Sequence, residues 1–233
     1  MKLSLGQVKA VLFDLGGTLV NIDNSKDPHV MKRMLGDCGV NRSLKDVSKE
    51  WVKSWERLNF REMAELLDEF WVQQNLQVLR NLRVELNAEK LARFIASHWW
   101  EYAKVSLYPD AEELLPRLKE KGLKIGLVTN GLQSDTNQIL PKVGLQGFFD
   151  VVVVVDTLRK MKPDAEVFRY ALEKMKATPS EALFVGDEME ADYKGAQRIG
   201  LKTFLIDREG KVRDENVNRI SSLEDLAEPS ERR

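Results

Sequence analysis

The sequence has one cysteine, Cys38, and only two histidines, His29 and His98. A single thiol excludes an internal disulfide and a cysteine-rich zinc site. It reads as an inert, partly buried side chain. Two histidines cannot build a histidine-rich metal centre, so any metal must be held by oxygen ligands. An excess of charge of one sign is also missing. The 36 basic and 37 acidic side chains leave a formal net charge of −1, which argues against a dedicated nucleic-acid surface. No apolar run approaches the length that spans a bilayer. The opening stretch MKLSLGQVKAVLFDLGG is a poor secretory signal, because its apolar part is short and runs directly into Asp14. The expectation is a cytoplasmic protein with neither a nucleic-acid nor a membrane partner.

What is present suits a packed core. Hydrophobic residues make up 43% of the 233 and charged residues 31%, so apolar interior and solvated surface are both available. Short, β-branched apolar runs recur at Val8–Phe13, Lys124–Val128, Phe149–Val155, Leu183–Val185 and Thr203–Ile206. Runs that are continuous rather than alternating predict parallel strands covered on both faces. Helical patterns separate the later runs. Asp110 is the expected cap of a helix through Lys121, and Asp164 of one carrying Val167, Leu172 and Met175. This alternation predicts an α/β protein with a Rossmann-like parallel sheet.

Residues 21–104 follow a different pattern. Phe60, Met63, Ala64, Leu67, Phe70 and Trp71 fall on one helix stripe, and Leu91, Phe94, Ile95, His98, Trp99 and Tyr102 on another. The expected organisation is a core of residues 1–20 and 105–233 with a helical insert at 21–104. The tryptophans are expected to pack helix on helix rather than to stack a ligand, and His98 to sit at a core edge. Glu228–Arg233 reads as a frayed tail.

Polar residues at the carboxyl ends of parallel strands are where such sheets place their chemistry. Asp14 opens D-L-G-G-T. Thr129 and Asn130 lie in L-V-T-N-G. Lys162 lies in K-M-K-P-D, and Asp187 and Asp192 in V-G-D-E-M-E-A-D. Each has a plain alternative as a cap, a turn former or a surface lysine. Their joint occurrence, in this order and at strand ends, favours a site.

With these motifs the sequence resembles the haloacid dehalogenase superfamily over residues 5–20 and about 105–225. The inserted helices are similar to the family's smaller cap, which covers the site and selects substrates. The resemblance implies a Mg²⁺-dependent hydrolase acting on small phosphorylated metabolites. Asp14 would be the nucleophile that forms an aspartyl-phosphate. Asp14, the Gly16 carbonyl and Asp187 would hold Mg²⁺, with Asp192 acting through water. Thr129 and backbone amides around Asn130 would hold phosphoryl oxygens. Lys162 would neutralise charge on Asp14 and on the phosphoryl group.

One position departs from the family pattern. Its phosphatases carry an acid/base Asp two residues after the nucleophile, where this chain has Gly16. The carbonyl keeps a ligand role, but the proton-transfer role is lost, and that is typically worth ~10²–10⁴-fold in rate. Glu188, Glu190 or an insert residue are the candidates to replace it. Two other readings stand beside the phosphatase. One is an impaired protein that binds a phosphometabolite or a partner. The other is a dehalogenase-like hydrolase, which the acidic pair Asp187 and Asp192 disfavours.

Overall fold

The computed structural model describes residues 8–22 and 27–226. The tail expected at Glu228–Arg233 lies outside the described residues. The chain divides into two compact units. The first comprises residues 1–21, 106–131 and 143–233, and the second residues 22–105 and 132–142.

The apolar runs of the first unit form strands of one sheet. β1 is Ala10–Phe13, and the short β2, Val20–Asn21, pairs antiparallel with β3, Ser106–Leu107. β4 is Lys124–Val128, β5 Val151–Val153, β6 Ala182–Gly186, β7 Lys202–Ile206 and β8 Arg219–Ile220. Six of them make a parallel sheet in the order β5-β4-β1-β6-β7-β8. β1 is buried along its whole length between β4 and β6. Phe13 lies in register with both Leu127 and Val185, so the carboxyl ends of the three central strands are level. Leu12, Phe168, Phe184 and Met175 pack in the core beside this sheet, with Phe168 edge-on to Phe184.

Some boundaries differ from expectation. The run Val8–Phe13 pairs as a strand only from Ala10. In Phe149–Val155 the strand covers Val151–Val153, because Val155 already begins a helical turn and the Thr157 hydroxyl accepts from the Val154 N–H. The helix Pro109–Glu120 is preceded by Tyr108 as its cap residue, so Asp110 does not cap it. Asp164 does cap Ala165–Met175, accepting from the Glu166 N–H at 2.9 Å.

The second unit is helical. It contains Pro28–Asp37, Leu44–Glu56, Asp68–Asn81, Ala88–Tyr102 and Gln133–Lys142. The last of these belongs to this unit, although by sequence it falls in the stretch expected in the core. The stripe over residues 60–71 is not one helix. A 3₁₀ turn, Phe60–Glu62, and a short helix, Met63–Leu66, end at Leu67, whose φ of 50° interrupts the α-helical path. Trp51 stacks on Trp99 with centroids 5.0 Å apart, so these tryptophans pack helix on helix. His98 is half-buried against Phe94. Cys38 is exposed rather than partly buried, since it follows the last turn of its helix. No helix among the described residues is long and apolar enough to cross a membrane.

Candidate active site

The strand ends of the first unit converge on a buried ion cluster. Asp14 follows β1 directly, and its N–H donates to the Val185 carbonyl at 2.9 Å. The Lys162 ammonium sits 2.5 Å from Asp14 Oδ1 and 2.7 Å from Asp192 Oδ1. All three side chains are buried. Asp187 follows β6; the residue is exposed as a whole, while its carboxylate lies close against Gly17 and is partly shielded from water. One carboxylate oxygen from each of Asp14, Asp187 and Asp192 lies within 4.8 Å of the others.

Two glycines make room for these carboxylates. Gly17 has φ 76°, and a Cβ there would lie 2.2 Å from Asp187 Oδ2. A Cβ on Gly186 would lie 2.3 Å from the Asp192 carboxyl carbon. Asp192 itself projects from a π-helical turn, Met189–Lys194, in which the N–H groups of Asp192 and Tyr193 both reach the Glu188 carbonyl. Its Oδ2 accepts from the Glu188 N–H at 3.0 Å.

Electrostatics follow from this crowding. Burial raises the Asp14 carboxyl, Asp192 and Asp187 add to the rise, and Lys162 opposes it. Burial lowers the Lys162 ammonium, but the two carboxylates beside it outweigh that and keep it protonated. Asp187 is raised to about 6 by desolvation and by the charges of Asp192 and Glu188. Three carboxylates therefore share one lysine, and the cluster is short of positive charge. Asp192 Oδ1 has its lysine contact without the alignment of a hydrogen bond. An all-oxygen, carboxylate-rich set of this kind fits a hard divalent cation such as Mg²⁺.

Thr129 and Asn130 follow β4. The Thr129 hydroxyl accepts from the Gly131 N–H at 3.2 Å, which leaves its own proton free to donate. The Asn130 amide is turned to protein. Its Oδ1 accepts from the Lys162 N–H at 2.7 Å and its Nδ2 donates to the Lys162 carbonyl at 3.1 Å. The Asn130 side chain thus holds the segment that carries the lysine.

A second, part-buried contact, not anticipated from sequence, braces the turn after Asp14. Arg208, just beyond β7, donates to the Thr18 carbonyl at 2.7 Å and the Gly17 carbonyl at 3.3 Å. It also makes two bonds to Asp110, at 2.8 and 3.0 Å. Asp110 precedes Arg208 by 98 residues, and no local pattern signals such a pairing.

Of the candidates to replace the missing acid, Glu190 is paired with Lys194 at 2.5 Å on the exterior, and Glu188 is exposed.

Comparison with known proteins agrees with this arrangement. The family model for haloacid dehalogenase-like hydrolases matches residues 11–206. The chain is 31% identical to a glyceraldehyde 3-phosphate phosphatase of Methanopyrus kandleri, over 89% of this chain and 87% of that protein. It is 28% identical to a phosphoglycolate phosphatase of Aquifex aeolicus, over 93% and 95% of the two chains. A crystal structure of a HAD phosphatase from Thermococcus onnurineus superposes with a TM-score of 0.67 at 26% identity, covering 94% of this chain and 96% of the other.

Proposed function

Because the chain belongs to the haloacid dehalogenase-like hydrolases, we propose that it is a magnesium-dependent phosphatase of small phosphorylated metabolites, working through an aspartyl-phosphate on Asp14. The observation that carries this reading is the Lys162 ammonium lying between Asp14 and Asp192, with Asp187 alongside.

Asp14, the Gly16 carbonyl and Asp187 would hold the cation, with Asp192 behind them. When bound, Mg²⁺ supplies positive charge that reduces repulsion between a carboxylate nucleophile and a phosphate dianion. The remaining work falls to side chains. A carboxylate oxygen of Asp14 attacks phosphorus, and the bond from phosphorus to the leaving oxygen breaks. Lys162 stabilises charge on Asp14 before attack and on the phosphoryl group during transfer. Thr129 donates its hydroxyl proton to a phosphoryl oxygen. Water then attacks the phosphorus of the aspartyl-phosphate and restores the Asp14 carboxylate. The helical unit is assigned the choice of organic group.

The test is turnover of p-nitrophenyl phosphate with Mg²⁺, in excess chelator, and in Asp14→Asn. Turnover is expected only with metal and only in wild type. Full activity in chelator would remove the metal assignment, and an active Asp14→Asn enzyme, with deamidation excluded, would remove the nucleophile. Gly16 favours a second reading, a phosphometabolite-binding protein without turnover. It predicts phosphate binding by wild type with no hydrolysis of any ester.

A further inference from the structure

Position 16 sets which phosphoryl compounds this site can use, an inference that rests on the phosphatase reading above. In the G-G pair after the nucleophile, the left-handed backbone falls at Gly17, where Asp187 also leaves no space for a Cβ. Gly16 is not among the described residues of positive φ. Backbone conformation therefore explains the second glycine and not the first. What Gly16 changes is chemistry, because it removes a carboxyl group two residues from Asp14.

The remaining carboxylates do not replace it. Among the described residues the acidic cluster comprises Asp14, Asp187 and Asp192. Asp14 is the nucleophile. Asp192 is buried, with one oxygen against Lys162 and the other accepting from the Glu188 N–H. Asp187 is the cation ligand proposed above, with its carboxylate close beside Gly17. Lys162 is held between two carboxylates, whose charge binds its protons, so it neutralises charge without protonating a leaving oxygen.

A leaving oxygen that receives no proton must depart as an anion. An alkoxide, whose conjugate acid resembles water with a pKa of ~16, departs poorly. A carboxylate with a conjugate-acid pKa of ~4 departs readily. So does a phosphate that already carries a proton or an organic group, with a relevant pKa of ~6. We propose that the preferred substrates carry their phosphoryl group on such an acidic oxygen, as acyl phosphates or phosphoanhydrides. Asp14 oxygen bonds to phosphorus, the bond to the leaving oxygen breaks with its electron pair, and no proton moves. In the second step water oxygen bonds to phosphorus, the Asp14 oxygen takes back its electron pair, and the proton of water passes to the released phosphate or to solvent. This second step is the same for every substrate. It sets a common ceiling on kcat, so discrimination is read in kcat/KM.

The experiment measures kcat/KM with Mg²⁺ for acetyl phosphate, pyrophosphate, p-nitrophenyl phosphate and glycerol 3-phosphate, corrected for uncatalysed hydrolysis. Wild type, Gly16→Asp and Glu188→Gln are compared. In wild type, acetyl phosphate is expected to exceed glycerol 3-phosphate by ~10²-fold or more. Gly16→Asp is expected to narrow that ratio by raising the glycerol 3-phosphate arm, and Glu188→Gln to leave it unchanged. Turnover of pyrophosphate extends the class to anhydrides in general, while acetyl phosphate alone narrows it to acyl phosphates. Should Gly16→Asp fail to fold, a series of substituted phenyl phosphates on wild type gives the same information. Its rates are expected to fall steeply as the phenol pKa rises. A flat series, a ratio near one, or a ratio widened by Glu188→Gln would overturn the inference alone. No turnover in any arm would remove the phosphatase reading together with it.

Discussion

Asn130 grips the backbone of Lys162 at both of its polar groups, accepting from the N–H at 2.7 Å and donating to the carbonyl at 3.1 Å. Both halves of the amide are used, so Asn130 acts on the reaction through Lys162. Asn130→Ala removes an acceptor and a donor at once and frees the segment that aims the ammonium. The expected result is a folded protein with kcat/KM lowered by ~10–100-fold, the scale of a small misplacement of a reacting group. Asn130→Asp keeps the acceptor but sets a carboxylate oxygen against the Lys162 carbonyl, so it is not expected to restore the wild-type value. Steady-state kinetics with circular dichroism decide it, and an Asn130→Ala variant with wild-type kcat/KM would return Asn130 to a passive turn residue.

The central strands are legible because a strand buried on both faces needs a run without charged or polar side chains, and residues 125–128 of β4 meet that after an exposed Lys124. The same rule over-extended Phe149–Val155, where valines continue past the point at which the chain turns into a helix. β2, β3 and β8 are two residues each, too short for any periodicity to mark. Helical spacing over residues 60–71 was real on either side of Leu67 but could not show the break there. Asp14 and Asp187 are marked by directly following a strand, whereas Lys162 and Asp192 are marked only by the motifs around them. The partners that hold the site carry no such mark. Asn130 and Lys162 are 32 residues apart, and Arg208 and Gly17 are 191 apart. Asp110 has a residue type that suits a helix cap, whereas its carboxylate is taken by Arg208.

That Arg208–Asp110 pair gives a stability prediction. Asp110 accepts from Arg208 twice, from the Ser222 hydroxyl at 2.9 Å and from the Leu223 N–H at 2.8 Å, while the guanidinium lies over the Tyr108 ring at 3.7 Å. Burial acts to raise the Asp110 carboxyl, but these donors outweigh it and hold it below the ordinary carboxylate value. The unfolded chain then binds this proton more readily than the folded one, so stability rises with pH across this titration. The contribution is present above the ordinary carboxylate pKa and is lost as pH falls through the depressed one. Arg208→Met is expected to cost about 1–3 kcal/mol at neutral pH, the scale for leaving a mostly buried acceptor without its donor. Its deficit against wild type should begin to shrink below about pH 4, where the carboxyl takes up a proton in the unfolded chain, and go on shrinking as pH falls toward the depressed folded value. Denaturant unfolding at pH 7 and pH 3 checks both parts. A deficit that is the same at both pH values would mean that lost packing on Tyr108, and not the charge pair, carries the effect.

In the helical unit, Asp135 joins two tryptophans through its two oxygens. Oδ1 accepts from the Trp100 indole N–H at 2.7 Å, and Oδ2 from that of Trp71 at 3.2 Å. The carboxyl is buried, which raises it, and the two indoles oppose the rise without cancelling it. Asp135→Asn keeps the shape but turns an NH₂ toward one indole, leaving a buried donor without an acceptor. The expected cost is about 1–3 kcal/mol, and Asp135→Leu, which deprives both indoles, should cost more. The pH dependence runs opposite to that of Asp110. A carboxyl raised in the folded state takes up its proton more readily there than in the unfolded chain. Its contribution is therefore present below the ordinary carboxylate pKa and is lost as pH rises through the raised one. The amide of Asp135→Asn does not titrate, so its deficit against wild type should be larger at pH 4 than at pH 7. Tryptophan fluorescence followed through denaturant unfolding at both pH values measures the deficit. It also reports the altered indole environment in the folded state. An Asp135→Asn protein of wild-type stability and unchanged emission would show that neither indole depends on the carboxylate, and the bridge between Trp71 and Trp100 would have no energetic standing.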